Sequence, residues 1–142
     1  MRISEILSNK GSEVVLISAT DTVAHLVSLL KEHHLGAAVI SDDGIAVQGI
    51  VSERDIVRRL ADGTEFLAGP VADIMTTDVH TCAPTDYIQS VMETMTQRRI
   101  RHLPVINSHD RLCGIVSIGD VVKWTIEELR FERDQLEEYV YR

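Results

Sequence analysis

Residues 14–58 align with residues 79–123 at a constant offset of 65, without one insertion. A chain that carries one pattern twice has to fold as two versions of one unit, which removes most other architectures from consideration. Identical pairs are Val14/Val79, Thr20/Thr85, Asp21/Asp86, Gly49/Gly114, Ile50/Ile115, Val51/Val116, Ser52/Ser117, Asp55/Asp120 and Val57/Val122. Six of these nine fall between positions 49 and 57, so that stretch is where chemistry is sought. Elsewhere only apolar character is shared, as in Val23/Ile88, Leu26/Val91, Leu30/Met95, Leu35/Ile100, Ala38/Leu103 and Ile40/Val105. Two copies of a fold whose surfaces have diverged look like this.

Hydrophobic periodicity gives each copy the order strand, helix, strand, strand, helix. In the first copy, residues 14–17 are a short β-branched run, and Val23, Leu26, Val27 and Leu30 recur at helical spacing within residues 22–32. Thr20-Asp21 is the expected N-cap of that helix. Ala37–Ile40 and residues 47–51 read as strands separated by the turn Ser41-Asp42-Asp43-Gly44, and Glu53–Leu60 reads as the second helix. The second copy runs through strand 79–82, helix 87–99, strands 103–106 and 112–116, and a helix from Gly119 onward. Asp62-Gly63-Thr64 and Gly69-Pro70 mark a linker. Val71-Ala72-Asp73-Ile74-Met75 echoes Ile3-Ser4-Glu5-Ile6-Leu7, so each copy is expected to own a short lead-in. The expected divisions are a first repeat over 1–62, a second over 70–124 and a helical tail over 125–142. Such a unit is too small to hide its apolar sheet face alone. The expected fold is therefore α/β, of the α+β kind: two β-α-β-β-α repeats packed sheet to sheet about a pseudo-twofold axis, with two related clefts where equivalent loops meet.

Composition narrows the partners. The 142 residues carry 14 Lys and Arg against 22 Asp and Glu, a formal charge of −8, and only 4% aromatics. Neither a basic stripe for a phosphodiester backbone nor a platform for stacking bases is available, so nucleic acid is not an expected partner. Apolar runs such as Ala37–Ile40 fall far short of the roughly 20 residues a membrane span needs. Met1-Arg2-Ile3-Ser4-Glu5 has a carboxylate where a secretory signal would need an apolar core, so no membrane partner is expected and the cytoplasm is the expected location. Cys82 and Cys113 are the only cysteines and read as buried free thiols in strands.

The core of each repeat is Gly-Ile-Val-Ser-x-x-Asp, Gly49 to Asp55 and Gly114 to Asp120. It puts a hydroxyl at the end of a strand and a carboxylate in the first turn of the next helix. An ionised Asp is acceptor-only with two oxygens, so it can take both donors of a vicinal ribose diol. The Ser hydroxyl and the unpaired N–H groups of a helix start can hold a phosphate. Gly allows close approach of the backbone to a ligand. Ser-x-x-Asp is also close to a capping box, which starts a helix with no ligand at all.

With Gly-Ile-Val before it in both copies, the motif resembles the core of a cystathionine beta-synthase (CBS) domain pair, the tandem unit also called a Bateman module. The resemblance runs from about Ile3 to Lys123 and is most specific in Ile100-Arg101-His102-Leu103-Pro104-Val105-Ile106 and Gly114-Ile115-Val116-Ser117-Ile118-Gly119-Asp120. It implies a regulatory binding module for an adenosine-containing ligand: AMP first, with ADP, ATP, NAD or S-adenosylmethionine as alternatives. By the same resemblance, Asp55 and Asp120 hold ribose, with Ser52 and Ser117 adjoining. Ile17, Ser18, Ala19 and Ile50 line one adenine slot, and Cys82, Ala83, Pro84 and Ile115 the other. Arg101 and His102 stand where that family often carries basic residues toward phosphate. The first copy has Gly36 and Ala37 there, leaving Arg54 as a substitute cation, so the second site is expected to hold phosphate better. Arg98 and Arg99 either join that cluster or complement the end of their helix.

No Gly-x-Ser-x-Gly, His-Glu-x-x-His or Walker loop is present, and an enzyme is not expected. His33 and His34 are adjacent and, on a helix, point about 100° apart. His25, His80 and His109 have no Cys or carboxylate at ligand spacing, so no metal is expected. The output of a pair without a fused effector passes to an unknown protein partner in trans, or to the second subunit of a homodimer. Val122, Ile126, Leu129, Leu136 and Val140 recur at 4, 3, 7 and 4 residues, interrupted at Arg133, and Trp124, Phe131, Tyr139 and Tyr141 lie on the same tail. That tail either folds back on its own repeat or serves dimer or partner contact. The alternative to a ligand sensor is a ligand-indifferent scaffold that keeps the motif as a helix cap.

Overall fold

Short β-branched runs interrupted by turn residues produce small sheets that must be closed by helices. The computed structural model describes residues 1–141, which run α1 (Ile3–Lys10), β1 (Leu16–Ile17), α2 (Val23–His33), β2 (Ala37–Ile40), β3 (Gly49–Ser52), α3 (Glu53–Leu60), 3-10 turns at Glu65–Ala68 and Val71–Asp73, α4 (Ile88–Arg98), β4 (His102–Ile106), β5 (Leu112–Ser117) and α5 (Ile118–Val140). The architecture is mixed α/β with a long C-terminal helix, as expected. Two compact units emerge, and they cut across the sequence repeats: Glu13–His80 with Asn107–Leu112, and Met1–Ser12 with Thr81–Ile106 and the described residues from Cys113 onward.

The first unit holds a three-stranded sheet in the order β1-β2-β3. β1 runs parallel to β2, pairing Leu16 with Val39 and Ile17 with Ile40. A parallel pair needs a crossover, and α2 provides it. β2 and β3 are antiparallel, with Ala37 opposite Ser52 and Ile40 opposite Gly49. All four residues of β2 are buried, as befits a central strand covered on both faces. Ile17, Val23, Leu26, Leu30, Ala38, Ile40, Val51 and Ile56 form the core, and it is completed by Val71 and Ile74.

The second unit has a two-stranded sheet, β4-β5. Its core joins Cys82, Ile88, Val91, Met95, Leu103, Val105, Val116 and Val121 to Ile3 and Ile6. Where a strand is expected at 79–82, only Cys82 bridges to Val105. The Cys82 N–H donates to the Pro104 carbonyl at 3.0 Å and its carbonyl accepts from the Ile106 N–H at 2.8 Å.

The lead-ins are exchanged. Ile3 and Ile6 lie in the core of the second repeat, and Val71 and Ile74 in that of the first. The backbone records the same exchange: Ile3 N–H donates to the Asp86 carbonyl and Ser4 N–H to that of Pro84, each at 2.9 Å, while Ile50 and Thr76 exchange bonds of 3.0 and 2.9 Å. The expectation that each copy keeps its own lead-in is therefore corrected. Apolar pattern shows that a segment is buried but not in which core.

Candidate functional site

The two Gly-Ile-Val-Ser-x-x-Asp segments form matching strand-to-helix corners. Ser52 is the N-cap of α3 and Ser117 that of α5, each in a capping box with the Asp three residues on. Ser52 N–H donates to Asp55 Oδ2 at 2.8 Å and its hydroxyl to the same oxygen at 3.2 Å. Ser117 N–H donates to Asp120 Oδ2 at 2.9 Å, and Asp120 N–H to Ser117 Oγ at 3.2 Å. The bonds that these carboxylates accept from the capping serines fall on Oδ2, so capping leaves each carboxylate's Oδ1 available for an outside donor. Both Asp side chains are half-buried.

A backbone bond fixes the residues ahead of each corner. Glu53 N–H donates to the Gly36 carbonyl at 2.9 Å, and Ile118 N–H to the Arg101 carbonyl at 2.8 Å. Arg101 is thereby tied to the start of α5 as Gly36 is to the start of α3, and Ala37 lies directly opposite Ser52 in the sheet. The asymmetry read from the sequence thus sits beside the motif, with a cationic side chain in one unit and none at that place in the other. Arg54 is exposed in the first turn of α3 and His102 half-buried on β4.

The remaining candidate residues divide cleanly by unit. Ile17, Ser18, Ala19, Ile50, Ser52, Arg54 and Asp55 lie in the first, and Cys82, Ala83, Pro84, Arg101, His102, Ile115, Ser117 and Asp120 in the second. Ile17 and Cys82 are buried, and Ser18 Oγ donates to Asp42 Oδ1 at 3.1 Å. Ala83 N–H is taken by Asp86 Oδ2 at 2.9 Å. The backbone at Ala19, Ile50, Ala83 and Pro84 is thus engaged within the protein. What these positions offer an adenine is apolar side-chain surface.

One role read from the sequence changes. A Cβ on Gly114 would meet Leu7 Cδ2 at 2.7 Å, and one on Gly49 would meet Met75 Sδ at 2.9 Å and the Thr76 carbonyl oxygen at 3.0 Å. The space beside each motif glycine is filled by the lead-in from the other repeat, not kept open for a ligand. His25, expected to lack a carboxylate, has Asp21 at 3.5 Å one helical turn away. The pair goes no further: among the described residues no group of three His, Cys, Asp or Glu is placed to hold a metal ion.

Lys10 is the residue at the Asp120 corner that repeat alignment misses. Its ammonium donates to Asp120 Oδ2 at 2.8 Å and to the Ile115 carbonyl at 2.9 Å. Burial pushes the Asp120 carboxyl up, but the Lys10 bond, the Ser117 N–H, the Lys10 charge and the Ser117 hydroxyl together outweigh it and hold the pKa below the ordinary carboxylate value. Lys10 lies outside the stretch that aligns at offset 65, and only the exchange of lead-ins brings it to this corner.

Two related α/β units, each presenting a hydroxyl and a carboxylate at a strand-to-helix corner, define a paired module with two candidate sites. The chain belongs to the CBS domain family, whose model matches residues 3–62 and 71–127. It is 35% identical over 147 residues to the CBS domain-containing protein CBSX3, mitochondrial, of Arabidopsis thaliana, covering 97% of this chain and 71% of that protein. Its fold is similar to the crystal structure of the CBS-domain containing protein ATU1752 from Agrobacterium tumefaciens, with a TM-score of 0.82, 38% identity, and coverage of 86% of this chain and 91% of that one. It is also similar to the CBS domain protein PAE2072 from Pyrobaculum aerophilum, solved in complex with AMP, with a TM-score of 0.75, 32% identity, and coverage of 84% and 89%. No helix among the described residues is long and apolar enough to cross a membrane.

Proposed function

We propose that this chain is a regulatory module that binds an adenosine-containing ligand at its Ser-x-x-Asp corners and passes the occupied state to a protein partner, without turning the ligand over. The observation that carries the reading is the geometry of Asp55 and Asp120, where the backbone capping bond falls on Oδ2 and leaves Oδ1 for a first ribose hydroxyl. The AMP found with PAE2072 supports AMP as the first ligand to test. ADP, ATP, NAD and S-adenosylmethionine share the ribose and adenine that the corners would hold. The corner at Asp120, with Arg101 and His102 beside it, is the stronger phosphate site. An aqueous compartment, the cytoplasm, is the proposed setting.

Homodimerisation through α5 is part of the same proposal. Its first turns pack on the core through Val121, while Ile126, Leu129, Leu136 and Val140 are 44%, 59%, 66% and 72% exposed along one stripe. Aliphatic side chains that open to water at heptad-like spacing favour a second helix against them.

Calorimetric titration of AMP, ADP, ATP, NAD and S-adenosylmethionine into protein freed of carried-over ligand tests the binding reading. Saturable binding to the wild type that is lost from Asp120→Ala supports it. No binding of any of the five at millimolar concentration overturns it in favour of a ligand-indifferent scaffold. The scaffold reading has one observation on its side: both capping boxes are complete without a ligand.

A further inference from the structure

Lys10 ends α1 and extends to β5, where it bridges the carbonyl of Ile115 and the carboxylate of Asp120. Its side chain and that of Asp120 are 33% and 25% exposed, so the pair is reachable from solvent but not dissolved in it. α1 is held in place by Leu7, which fills the space beside Gly114 on the same strand. The ammonium and the Ser117 N–H share Oδ2 of Asp120. Oδ1 stays open to one ribose hydroxyl, but a diol donating to both carboxylate oxygens needs Oδ2 as well, so the two-point grip on Asp120 requires Lys10 to let go. Its four-carbon arm then carries an uncompensated, strongly hydrated charge next to whatever displaced it.

A neutral nucleoside breaks this pair and returns nothing to the cation. A nucleotide exchanges one charge-assisted bond for another, because its phosphate can take the ammonium as its ribose takes the carboxylate. We infer that Lys10 is the selectivity residue of the Asp120 site, occupying the carboxylate against neutral nucleosides and transferring to the phosphate of anionic ones. The inference rests on the ligand reading of Asp120 proposed above. It applies to this corner alone, since the position that matches Lys10 in the other lead-in, by the offset that relates Ile3 to Val71, is Asp78.

The test is the ratio of AMP to adenosine affinity, measured by calorimetry at low salt on wild type, Lys10→Met and Lys10→Arg. In Lys10→Met adenosine binds more tightly and AMP less, and the ratio falls about tenfold, the worth of one charge-assisted bond. Lys10→Arg keeps the wild-type ratio. An unchanged ratio in Lys10→Met, or an equal shift of both ligands in one direction, overturns the inference. Lys10→Gln stands in if the Met variant does not fold. Failure of the underlying reading is separate: there Asp120→Ala leaves binding as it was, or wild type binds neither ligand. Loss in Asp120→Ala with no change of ratio in Lys10→Met overturns the Lys10 inference alone.

Discussion

Gly114→Ala tests the exchange of lead-ins, because the added methyl group would strike a residue more than a hundred positions away in sequence. Its Cβ would lie 2.7 Å from Leu7 Cδ2, 3.1 Å from Cδ1 and 3.4 Å from Cγ, against an ordinary carbon–carbon contact of about 3.5–4.0 Å. Leu7 has to retreat by roughly an ångström, and overpacking of this kind costs about 1–3 kcal/mol. Loss of glycine freedom in the unfolded chain returns about 0.4–1 kcal/mol, so the net destabilisation is about 1–2 kcal/mol. Gly49→Ala costs more, about 2–3 kcal/mol on the same scale. There the Cβ meets not only Met75 Sδ at 2.9 Å but also the Thr76 carbonyl oxygen at 3.0 Å, and that carbonyl is held by the Ile50 N–H. A side-chain end can swing aside; a bonded carbonyl cannot do so without breaking its bridge. Leu7→Ala in the Gly114→Ala background removes the obstacle, so the double mutant is more stable than the summed single losses by at least about 1 kcal/mol. Met75→Ala relieves Gly49→Ala less completely, because the carbonyl remains. Urea unfolding with unchanged m values measures all of these. Additivity of Leu7→Ala and Gly114→Ala to within about 0.5 kcal/mol would refute the packing of α1 on β5.

Three further outcomes follow from the same contacts. Burial pushes the Cys82 thiol up to about 12, with Asp86 and Cys113 adding to the rise; Cys82 in native protein at pH 8 should resist a thiol reagent until the chain unfolds, whereas Cys113 is only half-buried, and prompt labelling of Cys82 in a Cys113→Ser variant would refute this. Asp120 is held below its ordinary pKa, so its pairing stabilises the fold fully above the unfolded carboxylate value of about 3.9 and is lost as pH falls through the folded value. After allowance for exposure this amounts to about 1 kcal/mol or less, and Asp120→Asn should lower the melting temperature at pH 7 but not at pH 2, a deficit that grew on acidification being the contrary result. Thr22→Ala removes the N-cap of α2, whose hydroxyl accepts from His25 N–H at 3.1 Å, and should cost about 1 kcal/mol, whereas Thr20→Ala should cost less than half of that.

Most elements were legible because their signals are local. α3 spans Glu53–Leu60 as its pattern requires, and α2 and α4 begin one residue after and end within one residue of their expected limits. Their left-handed C-caps fall on His34 and Arg99, equivalent positions of the two copies, although neither is the glycine that usually marks such a stop. The N-cap of α2 is Thr22, directly after the expected pair Thr20-Asp21. Three cap-forming residues stand in a row there, and only Thr22 sits where its oxygen meets His25 N–H; Asp21 instead accepts from Ser18 N–H at 3.4 Å. The motif corners were equally visible, since Ser-x-x-Asp contains both partners of its own hydrogen bonds. Lys10 was not, because its partner lies 110 residues away and no short-range pattern records the pairing.

The exchange of lead-ins also changes what duplication does for the two sites. An alignment at offset 65 sets Gly36-Ala37 against Arg101-His102, and Arg54 against Gly119. In the folded chain a further difference arrives from a separate segment. The lead-in of the first repeat delivers Lys10 to the Asp120 corner, while the matching place in the other lead-in is occupied by Asp78. The Arg101-His102 and Lys10 differences have the same sign, each adding positive charge in the unit that holds Asp120, against Arg54 in the other unit, within a chain whose net charge is −8. Two sequence changes in separate segments that converge on one corner are the grounds on which that corner is proposed as the better anion site. Because Lys10 belongs to a helix packed on the same strand, a ligand bound as proposed would act on α1 as well as on α5 and so would have two helices through which to be felt.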